Sequence, residues 1–222
     1  MSGSISNKIV TNGLVLYLDA GNPRSYISGS TVWYDLEEGT ASGSLINGPT
    51  FSSANVGSIL LDGLNQYVQV QPITSLSSTS YTISSWFKPI SSTTGFATLL
   101  GIGSSRRILW NSGSKNILAQ MGGIPSSVTS TANSVLTNQW SYVTYIYDKD
   151  LGKEYLYING VYNAIANNPS SDFNATFYLG FYGSLSFYLL NGNISMVKIY
   201  NKRLSDLEIL QNYNATKSRF RL

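Results

Sequence analysis

Residues 138–162 read NQWSYVTYIYDKDLGKEYLYINGVY and decide the fold class of this chain. The run opened by Trp140 and the run 154–158 are rich in aromatic and β-branched residues, and a charged turn at 148–153 separates them. The pair Asn159-Gly160 follows and supplies the positive backbone angles that a tight reversal needs. Because both runs are largely apolar on both faces, we predict a hairpin inside a two-layer structure rather than at its edge.

Composition extends the β interpretation to the whole chain. Sixteen tyrosines, 20 glycines and only 11% charged residues favour strands and turns over helices, and 42% hydrophobic residues are enough for a sizeable core. One large β domain accounts for the 222 residues. We predict an all-β fold, an antiparallel two-sheet jelly-roll-like sandwich over residues 13–216, with an N-terminal arm at 1–12 and a basic tail at 217–222.

Further apolar runs bounded by turn residues indicate about a dozen strands. The run 13–18 ends at the turn DAGNP (19–23), and the turn DGLN (62–65) joins 58–61 to 66–70. The run 81–88 is expected to end at Pro89, because proline cannot donate to a strand ladder. Additional strands are predicted at 97–102, 107–110, 116–121, 176–179 and 193–200.

One short helix is predicted near the C-terminus. Ser205 and Glu208 have the spacing of a capping box, and Leu204 and Ile209 have that of a hydrophobic staple. The apolar stripe expected to pack on an open end of the sandwich consists of Leu207, Leu210 and Tyr213.

Several function classes are made improbable by what the sequence lacks. No cysteine is present, so disulfides and thiolate metal sites are excluded, and no histidine is present to act as a general base near neutral pH. The net charge of +3 is mild and its basic residues are scattered, so nucleic acid is not expected as a partner. The uncharged stretch 173–197 is interrupted by polar residues, so we predict two strands and a turn rather than a membrane span.

Five stretches resemble the laminin-G-like, concanavalin A-like (LamG) sandwich. They are GLVLYLDAGNPRSY (13–26), SILLDGLNQYVQV (58–70), YTISSWFKP (81–89), the hairpin quoted above and GNISMVKIYNKRLSDLEILQNYNATK (192–217). The variant with LVLYLDAGNP near the front and IYNKRLSDLEILQNYNA near the back resembles domains of virion structural proteins of tailed bacteriophages. This resemblance implies the fold over roughly residues 13–217, a location in the virion, capsid or tail proteins as partners, and a homo-oligomer in the particle.

Hydrolases on this fold carry a Glu-x-Asp-x-Glu run, which this sequence lacks. Glu37 and Glu38 are adjacent and would face opposite sides of a strand, and Glu208 belongs to the predicted cap. Glu154 opens a strand with no acid two positions further on. The sequence therefore predicts a protein that is not an enzyme.

Calcium is the only cofactor that the sequence leaves open. The oxygen donors of interest are Asp19 with Asn22 and Asp62 with Asn65, together with Asp148 and Asp150. The same residues in turns bond their own backbone, and no cluster of three carboxylates appears, so the turn interpretation is preferred.

A sugar-stacking surface could be formed by Trp33, Trp110 and several tyrosines, with Asn65 as an amide partner. The alternative is that both tryptophans pack in the core or at an edge, as expected for Trp86 and Trp140. Arg106-Arg107 could meet an acidic partner, or could lie in a solvated hairpin turn.

The basic tail alternates Lys217, Arg219 and Arg221 with mostly apolar residues. An extended tail of this pattern could contact the sheet edge of a neighbouring subunit, whereas a frayed, solvated end is the usual alternative.

Together these patterns predict a non-enzymatic subunit that decorates the capsid or tail on the outside of a bacteriophage particle. The alternative is a carbohydrate-binding adhesin that recognises host-surface glycans. A third hypothesis is a polysaccharide-cleaving enzyme, against which the missing acid run argues.

Overall fold

A computed structural model of the chain describes residues 8–37, 41–103, 105–122, 126–168, 170–183 and 187–222. Within these ranges two antiparallel sheets pack face to face, and one α-helix, α1 (Asp206–Asn214), follows the last strand. The strands are, in chain order, β1 (Leu14–Asp19), β2 (Val32–Trp33), β3 (Gly43–Ile46), β4 (Thr50–Ser52), β5 (Ser58–Asp62), β6 (Tyr67–Val70), β7 (Tyr81–Ser91), β8 (Phe96–Ile102), β9 (Arg106–Asn111), β10 (Asn116–Gln120), β11 (Val128–Thr129), β12 (Ser141–Asp148), β13 (Lys153–Ile158), β14 (Val161–Asn167), β15 (Phe177–Leu179) and β16 (Asn191–Tyr200). The predicted sandwich with a single C-terminal helix is confirmed.

The first sheet, called sheet I below, has the strand order β14-β13-β12-β7-β16-β5-β4. Strand β16 is long enough to hold two neighbours on one side: residues 191–194 pair with β5, and residues 196–200 pair with β1. The predicted hairpin is β12-β13, and it lies inside the sheet because β14 covers its outer edge. Asn159 and Gly160 have φ angles of 52° and 79°, so they form the tight reversal that the sequence indicated.

The second sheet, sheet II, has the order β11-β10-β9-β8-β15-β6-β3-β2. The inward faces of the two sheets form one large apolar core, to which nearly every strand contributes alternate residues. Most neighbouring strands of sheet II are also consecutive in the chain. Strand β15 is an exception, because it pairs with both β6 and β8, which lie far from it in the sequence.

The predicted end of a strand at Pro89 is wrong, because β7 continues through it to Ser91. Pairing between β7 and β12 stops at Phe87, and the opposite neighbour has a register irregularity next to Gly192, the partner of Pro89. The proline therefore lies where the ladder is already incomplete, which is where strands tolerate it.

The start of α1 is the predicted capping box. The Ser205 hydroxyl accepts from the Glu208 amide at 3.3 Å, and the Glu208 carboxylate accepts from the Ser205 amide at 2.8 Å. Leu204 and Ile209 are buried in one cluster, as a staple requires.

The predicted apolar stripe of the helix is wrong at Leu207, whereas Tyr213 packs on Trp86 with ring centroids 5.7 Å apart. Leu207 is 76% exposed, and the helix buries Ile209 and Asn212 instead. A polar residue fits there because the Asn212 side chain accepts from the amide of Val10 at 2.8 Å and donates to the hydroxyl of Tyr200 at 3.0 Å. Within the described residues, α1 and the short 3-10 turns fall far short of the length and apolarity of a membrane-spanning helix.

Candidate functional site

The outward face of sheet II carries aromatic side chains at partly exposed positions. In β6 the two valines point into the core, so Tyr67 and Gln69 point away from it. In β15 Tyr178 lies between two core residues and pairs with Gln69 on the outward side. Strand alternation therefore brings Tyr67 and Tyr178 to one surface.

Phe181, just beyond β15, completes a cluster of three rings. Its ring stacks on Tyr67 with centroids 4.7 Å apart and planes at 29°, and Tyr178 meets both rings edge-on at 5.8 and 5.4 Å. All three side chains are only partly buried. The cluster is held by ring contacts worth about 0.5–1.5 kcal/mol each, and it still presents aromatic surface to solvent.

The segment that follows β15 lies over the neighbouring strands of sheet II. Gly180 takes a φ of 81°, which turns the chain, and the carbonyl of Tyr188 accepts from the amide of Thr98 in β8 at 2.6 Å. A Cβ at Gly101 would collide with the carbonyl oxygen of Phe181, so the close approach requires glycine at that position.

Arg107 stands beside this segment and is fixed in orientation. Its Nε donates to the side-chain oxygen of Gln120 at 2.7 Å, and its guanidinium carbon lies 4.5 Å from the ring centroid of Tyr182 and 5.9 Å from that of Tyr188. The arginine is a strand residue of β9 and not part of a hairpin turn. Its two terminal nitrogens make no hydrogen bond to the described residues and the side chain is partly exposed.

Amide side chains border the aromatic cluster where β6 begins. Asn65, predicted as a ligand residue, is exposed two positions before Tyr67, and its carbonyl accepts from the Asn47 side chain at 2.7 Å. Gln66 donates to the carbonyl of Gly48 at 3.1 Å. We call the surface made by Tyr67, Gln69, Arg107, Gln120, Tyr178 and Phe181 the tyrosine face.

The two tryptophans predicted for ligand contact belong to the core instead. Trp33 is 0% exposed and Trp110 is 1% exposed, and both lie on the inward side of sheet II. The indole nitrogen of Trp110 donates to the carbonyl of Val135 at 2.9 Å. A ring with no exposed surface cannot stack on a ligand, so the packing alternative is the correct one for both residues.

The oxygen donors predicted for calcium are used within the protein. Both oxygens of Asp19 accept from Arg219 at 2.9 Å, and Asn22 accepts from the amide of Arg24 at 3.0 Å. Asp62 accepts from the three amides that follow it in its own turn, at 2.8, 3.2 and 3.3 Å, and these hydrogen bonds lower its pKa despite some burial. The described part of the chain brings together no group of three acidic metal ligands.

The other predicted calcium pair is also engaged at one member. Asp148 forms an ion pair with Arg203 at 2.7 Å and accepts from the amide of Leu151 at 3.2 Å. Turn hydrogen bonds and ion pairs therefore account for Asp19, Asp62 and Asp148, whereas Asp150 is exposed.

The prediction of an extended basic tail is wrong. Residues Lys217–Phe220 form a 3-10 helix that packs back on the outward face of sheet I, and Phe220 is 5% exposed. Its ring stacks on Trp86 with centroids 4.1 Å apart, and Arg219 reaches Asp19 across 200 residues of sequence. Lys217 lies 5.3 Å from the ring of Tyr213, and Arg221 remains exposed. Apolar burial and an ion pair hold this segment on the sandwich.

We call the covered surface beneath this segment the sealed face. It contains Trp86, Tyr142 and Lys198, all fully buried, and the described residues offer no hydrogen-bond partner to the Lys198 amine or the Tyr142 hydroxyl. The amine lies 5.5 Å from the ring of Tyr142 and 5.8 Å from that of Tyr17. Burial lowers the pKa of Lys198 to about 7, Asp19 opposes this shift and Arg219 adds to it.

Two of the glutamates are held by contacts within the protein. Glu154 is 0% exposed and accepts from the hydroxyl of Tyr145 at 2.9 Å and the side chain of Asn168 at 3.2 Å. Burial raises the pKa of Glu154 against the opposing effect of these two donors. Glu208 is bound in the helix cap and to Lys202 at 2.7 Å, and Glu38 lies outside the described residues.

Residues 8–10, predicted to be part of an arm, pack on α1. The amide of Val10 donates to Asn212, and the carbonyl of Lys8 accepts from Gln211 at 2.8 Å. Residues 1–7 lie outside the described ranges.

A family model described as the concanavalin A-like lectin/glucanases superfamily, Laminin_G_3, matches residues 62–210. The chain belongs to this superfamily. No curated protein matches it in sequence.

Solved structures of the superfamily fold agree with this assignment. The binding domain of Paraclostridial Mosquitocidal Protein 1 superposes with a TM-score of 0.71 at 19% identity, over 91% of this chain and 52% of that one. Domain 4 of AbnA, a GH43 extracellular arabinanase from Geobacillus stearothermophilus, was solved in complex with arabinotriose. It superposes with a TM-score of 0.68 at 19% identity, over 90% of this chain and 98% of that domain. Trypanosoma rangeli sialidase superposes with a TM-score of 0.69 at 13% identity, over 92% of this chain and 33% of the enzyme. The chain thus spans about a third of the sialidase and about half of the toxin domain.

The sequence contained a signal for the tyrosine face that the prediction did not resolve into residues. The segments QYVQV and TFYLGFY alternate aromatic or amide residues with apolar ones, which assigns Tyr67 and Tyr178 to one side of their strands. What the sequence could not give is the neighbour relation, since β15 reaches β6 from more than 100 residues away.

Proposed function

We propose that this chain is a glycan-binding module without catalytic activity, and that it binds sugar through the tyrosine face. The observation that carries the proposal is the cluster of Tyr67, Tyr178 and Phe181, whose rings remain partly exposed on a sheet face that α1 does not cover.

The chemistry of this surface suits a sugar ring. Flat aromatic rings pack against the C–H faces of a pyranose or furanose, and neighbouring amides exchange hydrogen bonds with its hydroxyls. Gln69 pairs with Tyr178 across β6 and β15 and is two positions from Tyr67, and Gln120 lies beside Arg107. Because the rings already contact one another, little side-chain entropy is lost when a ligand binds.

The comparisons favour binding over catalysis. One structure of similar fold is a domain of an arabinanase solved with arabinotriose, and another is a toxin binding domain. The sialidases match over only a third of their length. On this chain, Glu154 is buried in the core and Asp62 is bound in its own turn, so neither is presented to a substrate on the tyrosine face.

We further propose that the module is carried on the outside of a bacteriophage particle, where it contacts host-surface glycan. The supporting observation is the resemblance of its first and last segments to domains of tailed-phage virion proteins. Attachment to capsid or tail proteins, in several copies, belongs to the same proposal.

A second candidate is a subunit that decorates the particle without binding sugar. It is supported by the edge strand β14, where Val161 is 65%, Tyr162 50% and Ile165 44% exposed. Exposed apolar side chains on an end strand can contact another copy or a capsid protein. Sedimentation of wild type against Val161→Lys tests this candidate, which requires an oligomer that the lysine dissociates.

Screening on a glycan array, followed by calorimetry with the best oligosaccharide, tests glycan binding. Tyr67→Ala and Tyr178→Ala are expected to weaken binding at least about 10-fold, or about 1.4 kcal/mol. Tyr162→Ala, an exposed tyrosine on sheet I, is the matched control and should leave affinity unchanged. Equal affinities for all four proteins would remove the tyrosine face from the proposal, and release of reducing sugar from the ligand would contradict its non-catalytic part.

A further inference from the structure

The tyrosine face has a charge pattern that bears on which glycans it takes. Among the outward-facing strand residues of sheet II that the structure describes, Arg107 is the only charged one. The segment 173–197, which includes the chain lying over β8 and β9, contains no charged residue in the sequence. An anion that approaches the described strands of this surface therefore meets one cation and no carboxylate on the strands themselves, and the nearby Asp62 carboxylate is bound by the amides of its own turn.

Arg107 is also prepared for a ligand. The bond from its Nε to Gln120 and the contact with the Tyr182 ring fix the plane of the guanidinium before anything binds. The two terminal nitrogens make no hydrogen bond to the described residues, so they can donate together to both oxygens of a carboxylate. An arginine needed only for stability of the strand would direct these donors to protein acceptors, as Arg106 does toward the carbonyl of Asp172.

We propose that the tyrosine face selects glycans that carry a carboxylate, such as uronic or sialic acid units, and that Arg107 binds the carboxylate while the ring cluster holds the sugar. This inference rests on the proposed glycan-binding function and adds the ligand class. The side chain of Gln120 acts as a positioning residue, because it holds the guanidinium and is not required to contact the ligand.

The test uses the whole chain and two pairs of immobilised probes. Polygalacturonate and its fully methyl-esterified form share a backbone and differ in charge, as do sialyllactose and lactose. Wild type is expected to bind at least one charged probe about 10- to 100-fold more tightly than its neutral partner, since charge-assisted hydrogen bonds contribute that much. Added NaCl should weaken that binding.

Variants of adjacent arginines supply the matched control. Arg107→Gln is expected to abolish the preference for the charged probe, and Arg107→Lys to restore part of it because charge remains without the fork. Arg106→Gln, in the same strand but bonded to the backbone of Asp172, should behave as wild type. Melting temperatures close to that of wild type establish that each variant is folded.

The outcomes separate the two proposals. Equal binding of charged and neutral probes that depends on Tyr67 and Tyr178 but not on Arg107 would overturn the carboxylate inference and keep glycan binding. Stronger binding to dextran sulfate than to either carboxylate probe would replace carboxylate by sulfate and also overturn it. No binding to any probe or array glycan would overturn both.

Discussion

The two outward faces of this sandwich start from similar sequence and end differently. Both carry tyrosines on alternate positions of their strands, yet the sealed face lies beneath α1 and the 3-10 helix Lys217–Phe220 while the tyrosine face remains partly exposed. The stack of Phe220 on Trp86 closes one, and the ring cluster around Tyr67 stays open on the other. Aromatic residues at alternate positions of a strand thus indicate a surface that another group covers. Only the tertiary structure shows whether that cover is a segment of the same chain.

Each face also contains a cation next to tyrosine rings, and burial separates their behaviour. Lys198 is fully buried with a pKa lowered to about 7, whereas Arg107 is partly exposed and keeps a guanidinium fork toward solvent. Burial of Lys198 in the sealed face lowers the stability of the fold, whereas Arg107 on the tyrosine face is accessible to a ligand.

The largest expected effect comes from opening the sealed face. Phe220→Ala removes a buried ring that stacks on Trp86 and is expected to lower the free energy of unfolding by about 3–5 kcal/mol. Equilibrium unfolding in urea, followed by tryptophan fluorescence, measures this loss. A cost below about 1 kcal/mol would mean that the C-terminal segment does not seal the face.

A smaller effect is expected at the buried amine. Lys198→Met removes an unpartnered polar group and should raise the unfolding free energy by about 1–3 kcal/mol at pH 7. The groups that face the amine are Asp19, Arg219, Tyr17 and Tyr142.

The pH dependence of the same variant gives an independent check. The folded pKa of Lys198, about 7, lies below its ordinary 10.5, so the unfolded chain binds this proton more tightly and wild-type stability should rise with pH between 7 and 9. Above pH 10 the effect reverses, because burial raises the pKa of Tyr81 and Tyr142 in the folded state while the unfolded chain loses those protons. Urea titrations at pH 7, 8 and 9 should show a rise in wild type that Lys198→Met lacks, and parallel slopes would contradict the assignment.

On the tyrosine face the same kind of truncation should matter little for stability. Tyr178→Ala is expected to cost about 1 kcal/mol, because its ring is partly exposed and loses only edge contacts with Tyr67 and Phe181. Comparison of its urea midpoint with that of Phe220→Ala tests the contrast directly. Equal costs would mean that the two faces are both structural.

The smallest effect is expected from calcium. Asp19 at the sealed face is paired with Arg219, and Asp62 near the tyrosine face is bound by its own turn amides. Thermal unfolding in CaCl2 and in EDTA should therefore give the same melting temperature. A rise with calcium, by the linkage between binding and folding, would reveal a site that these residues do not explain.

Features set by nearby residues were predictable from the sequence. The hairpin β12-β13 depends on Asn159-Gly160 and on two adjacent runs, and the capping box depends on residues three apart. The face that α1 buries was not predictable, because Asn212 is accommodated by Val10, which is 202 residues away. A hydrophobic pattern treats asparagine as exposed and cannot see a distant partner.

The candidate site was predictable in type but not in place. Several tyrosines with an amide partner were considered for sugar stacking and the pair Arg106-Arg107 for an acidic partner or a solvated turn, and tryptophan was given too much weight. Trp33 and Trp110 were considered for sugar stacking, but strand alternation places both rings in the core. Arg219 pairs with Asp19, whereas Arg107 bonds to Gln120 through its Nε only. These different partners distinguish the roles of the two arginines, and only the fold reveals them.

The position of Phe220 has a practical consequence for recombinant work. Strand β7, which carries Trp86, is synthesised about 130 residues before its cover, so a ribosome-bound chain exposes this indole until the final turn emerges. A fragment trimmed to the family match, residues 62–210, would also lack β1 and the 3-10 helix Lys217–Phe220. Such a fragment should aggregate. Fusion tags placed after Leu222 need a spacer, so that the 3-10 helix Lys217–Phe220 stays packed on Trp86.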